Sequence, residues 1–306
     1  MTYEELLIQT AKEDERIIVM TAENRALVRN VGAAIGNRFI DTGITEQTMV
    51  GMAAGLALRG RIPVIHALAP FLTMRAFEFI RTDVGIANLP VKLTGFIPGF
   101  LSDGNGPTHQ SIEDVSIMRG IPGMQVFAPA DEEDMVLMLP HVWSSSQPAY
   151  VRANHKKGNY THAPYEPGKA EVVSEGSDVT LLVYGFLFDT ALQTKALLEK
   201  EGLSVGLVNM RSLKPVDEEV IILSALKDTL IVTIEDHLLA GGLYTIVAEV
   251  LLKSRLSANV FPVALEERWF KPGLLSEVLE HEAFTAKHIA ANIIHELQQI
   301  KIIHNG

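Results

Sequence analysis

Two stretches of the sequence hold residue types that could do chemistry. In the first, Ile40-Asp41-Thr42-Gly43-Ile44-Thr45-Glu46-Gln47, an apolar run ends in a Thr-Gly turn, and a carboxylate opens the helical pattern that follows. Met49, Val50, Ala53, Leu56 and Ala57 recur at spacings of three and four, so one face of that helix is packed. Gly51, Ala54 and Gly55 keep it slim enough for a close neighbour. Locally, the simplest account of Glu46 is an acid stabilised by the helix dipole, with Thr42 or Thr45 as cap. The second stretch is Gly104-Asn105-Gly106-Pro107-Thr108-His109-Gln110. Its glycines and proline shape a tight loop that can bring backbone close to a ligand. His109 sits there beside the Thr108 hydroxyl and the Gln110 amide, either of which could set its tautomer.

Other chemistries find little support. Cysteine is absent, which removes thiol nucleophiles, disulfides and Cys-ligated metals. His281, His288 and His295 follow one another at spacing seven, beyond the reach of shared ligation from one helix, and read as solvated residues. There is no G-x-S-x-G elbow and no GxxxxGK[ST] loop. Asp131-Glu132-Glu133-Asp134 reads as a solvated helix start. Gly241-Gly242, after Glu235-Asp236-His237, opens a helix whose N-terminus could hold an anion.

The elements that must position these residues alternate strand and helix. Short apolar strands are predicted at 16–21, 38–41, 61–66, 91–96, 124–128 and 149–152, with helices between them, one over 70–81 placing Phe71, Met74 and Glu78 on one face. A polar segment with three glycines and two prolines, 156–178, reads as a linker, and a second, smaller strand–helix series follows it. The predicted fold class is α/β, two three-layer domains with mostly parallel sheets. Length supports two domains: 306 residues, 47% of them hydrophobic. A net charge of −11 disfavours nucleic acid and anionic membranes as partners. The N-terminus has no signal-peptide pattern and no apolar run is long enough to span a bilayer, so a cytoplasmic location is expected.

In combination and in order, Gly43-Ile44-Thr45-Glu46-Gln47, Phe71-Leu72-Thr73-Met74-Arg75-Ala76, Gly106-Pro107-Thr108-His109-Gln110, Ala128-Pro129-Ala130-Asp131 and Arg211-Ser212-Leu213-Lys214-Pro215-Val216-Asp217 resemble transketolase. The resemblance covers nearly the whole chain, as a pyrimidine-binding domain (1–165) and a transketolase C-terminal-like domain (166–306). It implies thiamine diphosphate as cofactor, with Glu46 bonded to N1′ of its aminopyrimidine and favouring the imino tautomer that takes the C2 proton. It implies that Phe71 stacks on the pyrimidine, with Ile44 and Met74 also at the cofactor. His109, Asn105, Arg75 and Arg152 are implied on the sugar side, His109 beside the reacting oxygens and Arg152 at a sugar phosphate.

Two departures from the family pattern bear on the substrate: Asn105 stands where transketolases usually carry Asp, and Ile97 where they usually carry His. A third bears on assembly. The family's diphosphate domain carries Gly-Asp-Gly, which occurs nowhere in this sequence. The resemblance is therefore to the C-terminal subunit of a split transketolase. It implies a partner chain that holds the diphosphate and Mg²⁺ or another divalent cation, with two copies of each chain. The alternatives are the β subunit of a 2-oxo acid decarboxylating enzyme, against which the GPTHQ loop argues, and a non-catalytic paralogue.

Overall fold

The computed structural model describes residues 1–227 and 230–305. Its first half runs α1 (Tyr3–Glu13), β1 (Ile17–Thr21), α2 (Val31–Ile35), β2 (Phe39–Asp41), α3 (Glu46–Leu58), β3 (Ile62–Leu68), α4 (Phe77–Phe79), β4 (Lys92–Phe96), α5 (Asp114–Arg119), β5 (Gln125–Phe127), α6 (Glu132–Ser144) and β6 (Ala149–Ala153). The second runs β7 (Glu171–Ser174), β8 (Val179–Val183), α7 (Phe188–Lys200), β9 (Val205–Asn209), β10 (Ser212–Lys214), α8 (Glu218–Lys227), β11 (Leu230–Leu238), α9 (Leu243–Lys253), β12 (Val260–Leu265), α10 (Leu275–His281) and α11 (Ala286–Asn305). Two sheets result, ordered β10-β5-β6-β4-β3-β1-β2 and β12-β11-β8-β9-β7. Every pairing is parallel except β10 on β5 and β7 on β9. The alternation of apolar runs and helices produces this arrangement directly: strands such as β1, β4, β6 and β8 are buried throughout, as a sheet covered on both faces requires.

Three local expectations change. The region predicted as one helix over 70–81 is instead a π-helical turn, Phe71–Arg75, then α4, then a second π turn, Ile80–Gly85. Such wide turns cluster at functional sites because they re-aim side chains. The predicted linker contains β7, the antiparallel edge of the second sheet. The Arg211–Asp217 motif, expected within the second series, supplies β10 to the edge of the first sheet. That covers backbone on β5 that would otherwise be an open edge. The two sheets also share apolar packing: one cluster joins Met49, Val50 and Leu93 to Leu182, Met210 and Leu243.

Two buried ionic clusters fasten the halves together. In one, Arg152 at the end of β6 donates through Nε to Asp114 Oδ2 at 2.9 Å and through Nη1 to Asp236 Oδ1 of β11 at 2.6 Å. Tyr150 Oη donates to the same Asp114 oxygen at 2.6 Å. Arg152 is 2% exposed, and its guanidinium also lies over the Tyr184 ring. Arg152, which the resemblance implies at a sugar phosphate, has its fork facing these two acids in this structure. Burial pushes the Asp236 carboxyl up to about 6, although Arg152 opposes the shift. A Cβ on Gly99 would lie 1.8 Å from Asp236 Oδ2, so only glycine fits where that loop crosses the pair.

The second cluster corrects the reading of Asp131-Glu132-Glu133-Asp134 as a solvated helix start: the helix begins there and Glu133 is exposed, but the two aspartates are buried. Asp131 caps α6 and Asp134 is fully buried. His162 contacts Asp131 Oδ2 at 3.1 Å and Glu171 Oε2 at 2.7 Å, while Arg211 pairs with Asp134 and Glu171 at 2.9 Å each. Asp134, His162 and Glu171 have ligand atoms close enough to surround a metal ion, but Arg211 already supplies the cation. Although burial opposes it, hydrogen bonds to Asp131 and Glu171 raise the His162 imidazole to about 10. Despite its own burial, Glu171 is held down at about 2 by His162 and Asn209.

Replacing Arg152 by Met strands Asp114 and Asp236 without a counter-charge, and urea unfolding at neutral pH is expected to register a loss of about 3–5 kcal/mol. Unchanged stability with weakened sugar binding would return Arg152 to the substrate. The second cluster sets a pH window. The His162 contribution is complete below its unfolded value of 6.5 and is lost as pH rises through about 10. That of Glu171 is complete above 4.5 and is lost as pH falls through about 2. Unfolding midpoints should therefore fall from about pH 6 to about pH 9, and His162→Gln should flatten that slope.

Candidate functional site

The residues singled out around Glu46 lie beyond the carboxyl ends of the parallel strands, where open α/β sheets place ligands. Glu46 begins α3 after the turn that follows β2, Phe71 and Arg75 follow β3, and Asn105 and His109 follow β4. The local sequence explains the placement. Asp41 accepts from the amide of Gly43, whose φ of +69° suits glycine, and Thr45 Oγ1 donates to the Thr42 carbonyl, so the chain reverses tightly into α3. Met49, Val50, Ala53, Ala54 and Ala57 then bury one face of the helix.

Glu46 is 2% exposed. Its Oε2 accepts from Arg75 Nη1 at 2.9 Å, and among the described residues no other side chain donates to this carboxylate. The Arg75 guanidinium lies 4.2 Å from the centroid of the Phe71 ring. Phe71 in turn meets the His109 ring edge-to-face, with centroids 5.0 Å apart. The structure thus brings Glu46, Arg75, Phe71 and His109 into one continuous contact chain: carboxylate, guanidinium, aromatic face, imidazole. Thr108 Oγ1 and His109 Nδ1 share a hydrogen bond of 2.9 Å; with the hydroxyl donating, the ring proton sits on Nε2. Gln110, the other neighbour expected to orient the imidazole, instead donates to the carbonyl of Phe270 at 2.8 Å.

The remaining sequence candidates are more peripheral. Met74 is half-buried and Ile44 is exposed at the turn before α3. Asn105 is exposed and donates to the Ser102 carbonyl at 3.1 Å, a bond that shapes its own loop. Ile97 packs against the core beneath the first sheet, with its backbone at φ +44°. A β-branched residue in that region costs about 1–3 kcal/mol and persists where the surroundings over-determine it. Here it turns the chain out of β4 and into the loop that carries His109.

Sequence reasoning missed the groups that support this loop. The Ser111 carbonyl accepts from Gly99, and the Ile112 carbonyl accepts from Leu238 of β11. Phe100 is packed edge-to-face by Phe270 and Phe284, at 5.0 and 4.8 Å between centroids. The Gly241–Gly242 turn holds a carboxyl group of the chain itself: Glu235 accepts from the amides of Leu243 and Tyr244 at 2.6 and 2.9 Å. Burial raises Glu235 to about 8 against those bonds. The sequence showed the glycines and Glu235 near them, but not that this acid, on β11, folds back onto the helix start.

The domain model described as transketolase, pyrimidine binding domain matches residues 1–161, and that described as transketolase, C-terminal domain matches 168–289. The chain is similar to the 6-deoxy-6-sulfo-D-fructose transketolase subunit of Clostridium sp. (strain MSTE9), at 34% identity over 98% of this chain and 94% of the relative. It is similar to a Methanocaldococcus jannaschii protein named for a transketolase C-terminal section, at 33% identity over 97% of this chain and 95% of the relative. Among solved structures it resembles a split-gene transketolase described as an inactive beta4 tetramer, with TM-score 0.87 at 33% identity over 97% of each chain. Site geometry, domain matches and full-length relatives together make this chain a member of the transketolase family, carrying its pyrimidine-binding and C-terminal domains.

Proposed function

We propose that this chain is the pyrimidine-side subunit of a two-chain, thiamine-diphosphate-dependent transketolase, moving a two-carbon ketol unit from a ketose donor to an aldose acceptor. One observation carries the reading: a buried carboxylate at a helix start, with an aromatic face and an imidazole in the same contact chain. An aminopyrimidine offers a ring nitrogen at its edge and a π-face, and the donor set fits both. On this reading Glu46 shares a proton with that nitrogen, Phe71 stacks on the face, and Ile44 and Met74 add apolar contact; the contact chain from Glu46 through Phe71 to His109 supports it. When bound, thiamine diphosphate supplies the carbanion sink for the transferred unit.

The chain's own work is binding, orientation and proton handling. Glu46 holds or releases a proton at the ring nitrogen from a site where burial strengthens its electrostatics. His109, with Nδ1 engaged by Thr108, presents Nε2 to the oxygens of the sugar, and Asn105 lies on the same loop for a further polar contact. The diphosphate and its Mg²⁺ are assigned to a partner chain, in an assembly with two copies of each subunit as the family resemblance implies. The names of the relatives, a transketolase subunit and a transketolase C-terminal section, favour that division. Residues 1–165 and 166–306 are proposed as the two functional domains. For the donor, a ketose bearing a terminal anion is favoured. The sulfosugar in the Clostridium relative's name and the Ile97 and Asn105 departures make a sulfonated ketose the first to compare with the phosphate.

Mixed with its partner, Mg²⁺ and cofactor, the chain is expected to transfer ketol units, and Glu46→Ala to lower turnover by about 10²–10⁴-fold. Unchanged turnover would overturn the role of Glu46, and CO₂ release from pyruvate would move the enzyme to the 2-oxo acid class. His109→Ala is expected to reduce kcat/KM for the ketose by about 10²-fold or more while leaving cofactor affinity intact, read by calorimetry beside steady-state kinetics.

A further inference from the structure

Arg75 was implied on the sugar side, but its contacts point elsewhere. The residue is 40% exposed, whereas the carboxylate it holds is 2% exposed. One end of the guanidinium faces Glu46 at 2.9 Å, while the planar group lies 4.2 Å from the Phe71 centroid. The π-helical turn Phe71–Arg75 makes this possible, since the two residues bound one wide turn and the guanidinium folds back over the ring. A ligand that needs both an edge contact to Glu46 and a face contact to Phe71 therefore finds both groups oriented by one side chain.

We propose that Arg75 is a positioning residue for the pyrimidine site, fixing the Glu46 carboxylate and the Phe71 ring together rather than binding the sugar. This rests on the reading of Glu46 and Phe71 as cofactor contacts. Arginine suits the task because its planar fork can hydrogen-bond in its plane and stack through its face at the same time. Lysine reproduces the charge without the plane.

The test uses the two-chain complex with Mg²⁺, thiamine diphosphate and the ketose, comparing Arg75→Gln, Arg75→Lys, Glu46→Gln and the Arg75→Gln/Glu46→Gln double variant. Calorimetry reads the cofactor Kd, steady-state kinetics separate kcat from the ketose KM, and thermal melts confirm folding. Arg75→Gln is expected to weaken cofactor binding by about tenfold or more and to lower kcat, with the ketose KM unchanged. Arg75→Lys should recover part of the loss, and Arg75→Gln should add little on the Glu46→Gln background, because the two residues act as a unit. A raised ketose KM with unaltered cofactor Kd would overturn the proposal and make Arg75 a substrate contact, and additive losses would also overturn it. If the unsubstituted complex binds no thiamine diphosphate, the functional reading fails first and this inference with it.

Discussion

A guanidinium sealed between the two halves of the chain is the constraint on which the rest depends. Arg152 ends a strand of the first sheet, and its two acids come from different halves, Asp114 from α5 and Asp236 from β11. A buried charge is tolerated only when its partners are correctly placed, so this pair is more a geometric requirement than a source of stability. It fixes how the second domain sits on the first. It also forbids a side chain at Gly99, where the loop bearing His109 begins.

That loop shows what the second domain contributes. Its base rests on β11 through the Leu238 amide, its Gln110 reaches the Phe270 carbonyl, and Phe100 is packed among aromatics of the C-terminal half. His109 is therefore aimed by a domain that holds none of the contact chain from Glu46 to the imidazole. The second cluster, in which Arg211 and His162 neutralise Asp134 and Glu171, repeats the device next to the strand that the second half lends to the first sheet.

Within the site, the chain from Glu46 through Arg75 and Phe71 to His109 runs across three separate segments, which follow β2, β3 and β4 of the first sheet. Each contact is short-range, but the residues are far apart in sequence: Arg75 lies 29 positions from Glu46, and His109 still further. Only the crossing of α3 with the wide turn after β3 brings the carboxylate under the guanidinium. The same wide turn separates the observed arrangement from a regular helix, which would have placed Phe71, Met74 and Glu78 on a common face.

Much was legible in the sequence by itself. Apolar runs at strand length alternating with helical patterns determined a parallel α/β chain, because buried strands need both faces covered. Glycines and prolines marked the turns at Gly43 and Gly106, where the backbone takes values that other residues resist. The types and order of Glu46, Phe71 and His109 marked the candidate site, whose residues the fold brings into one contact chain. Tertiary structure alone decided which charges meet. Arg152 and Arg75 are both arginines near strand ends, and nothing in their local spacing tells that one is sealed between two acids while the other holds Glu46. Asp131 and Asp134 likewise read as an ordinary helix start until His162 and Arg211 close over them. Ion pairing depends on distances between elements remote in the chain, and burial then turns those distances into energy; composition and periodicity carry neither.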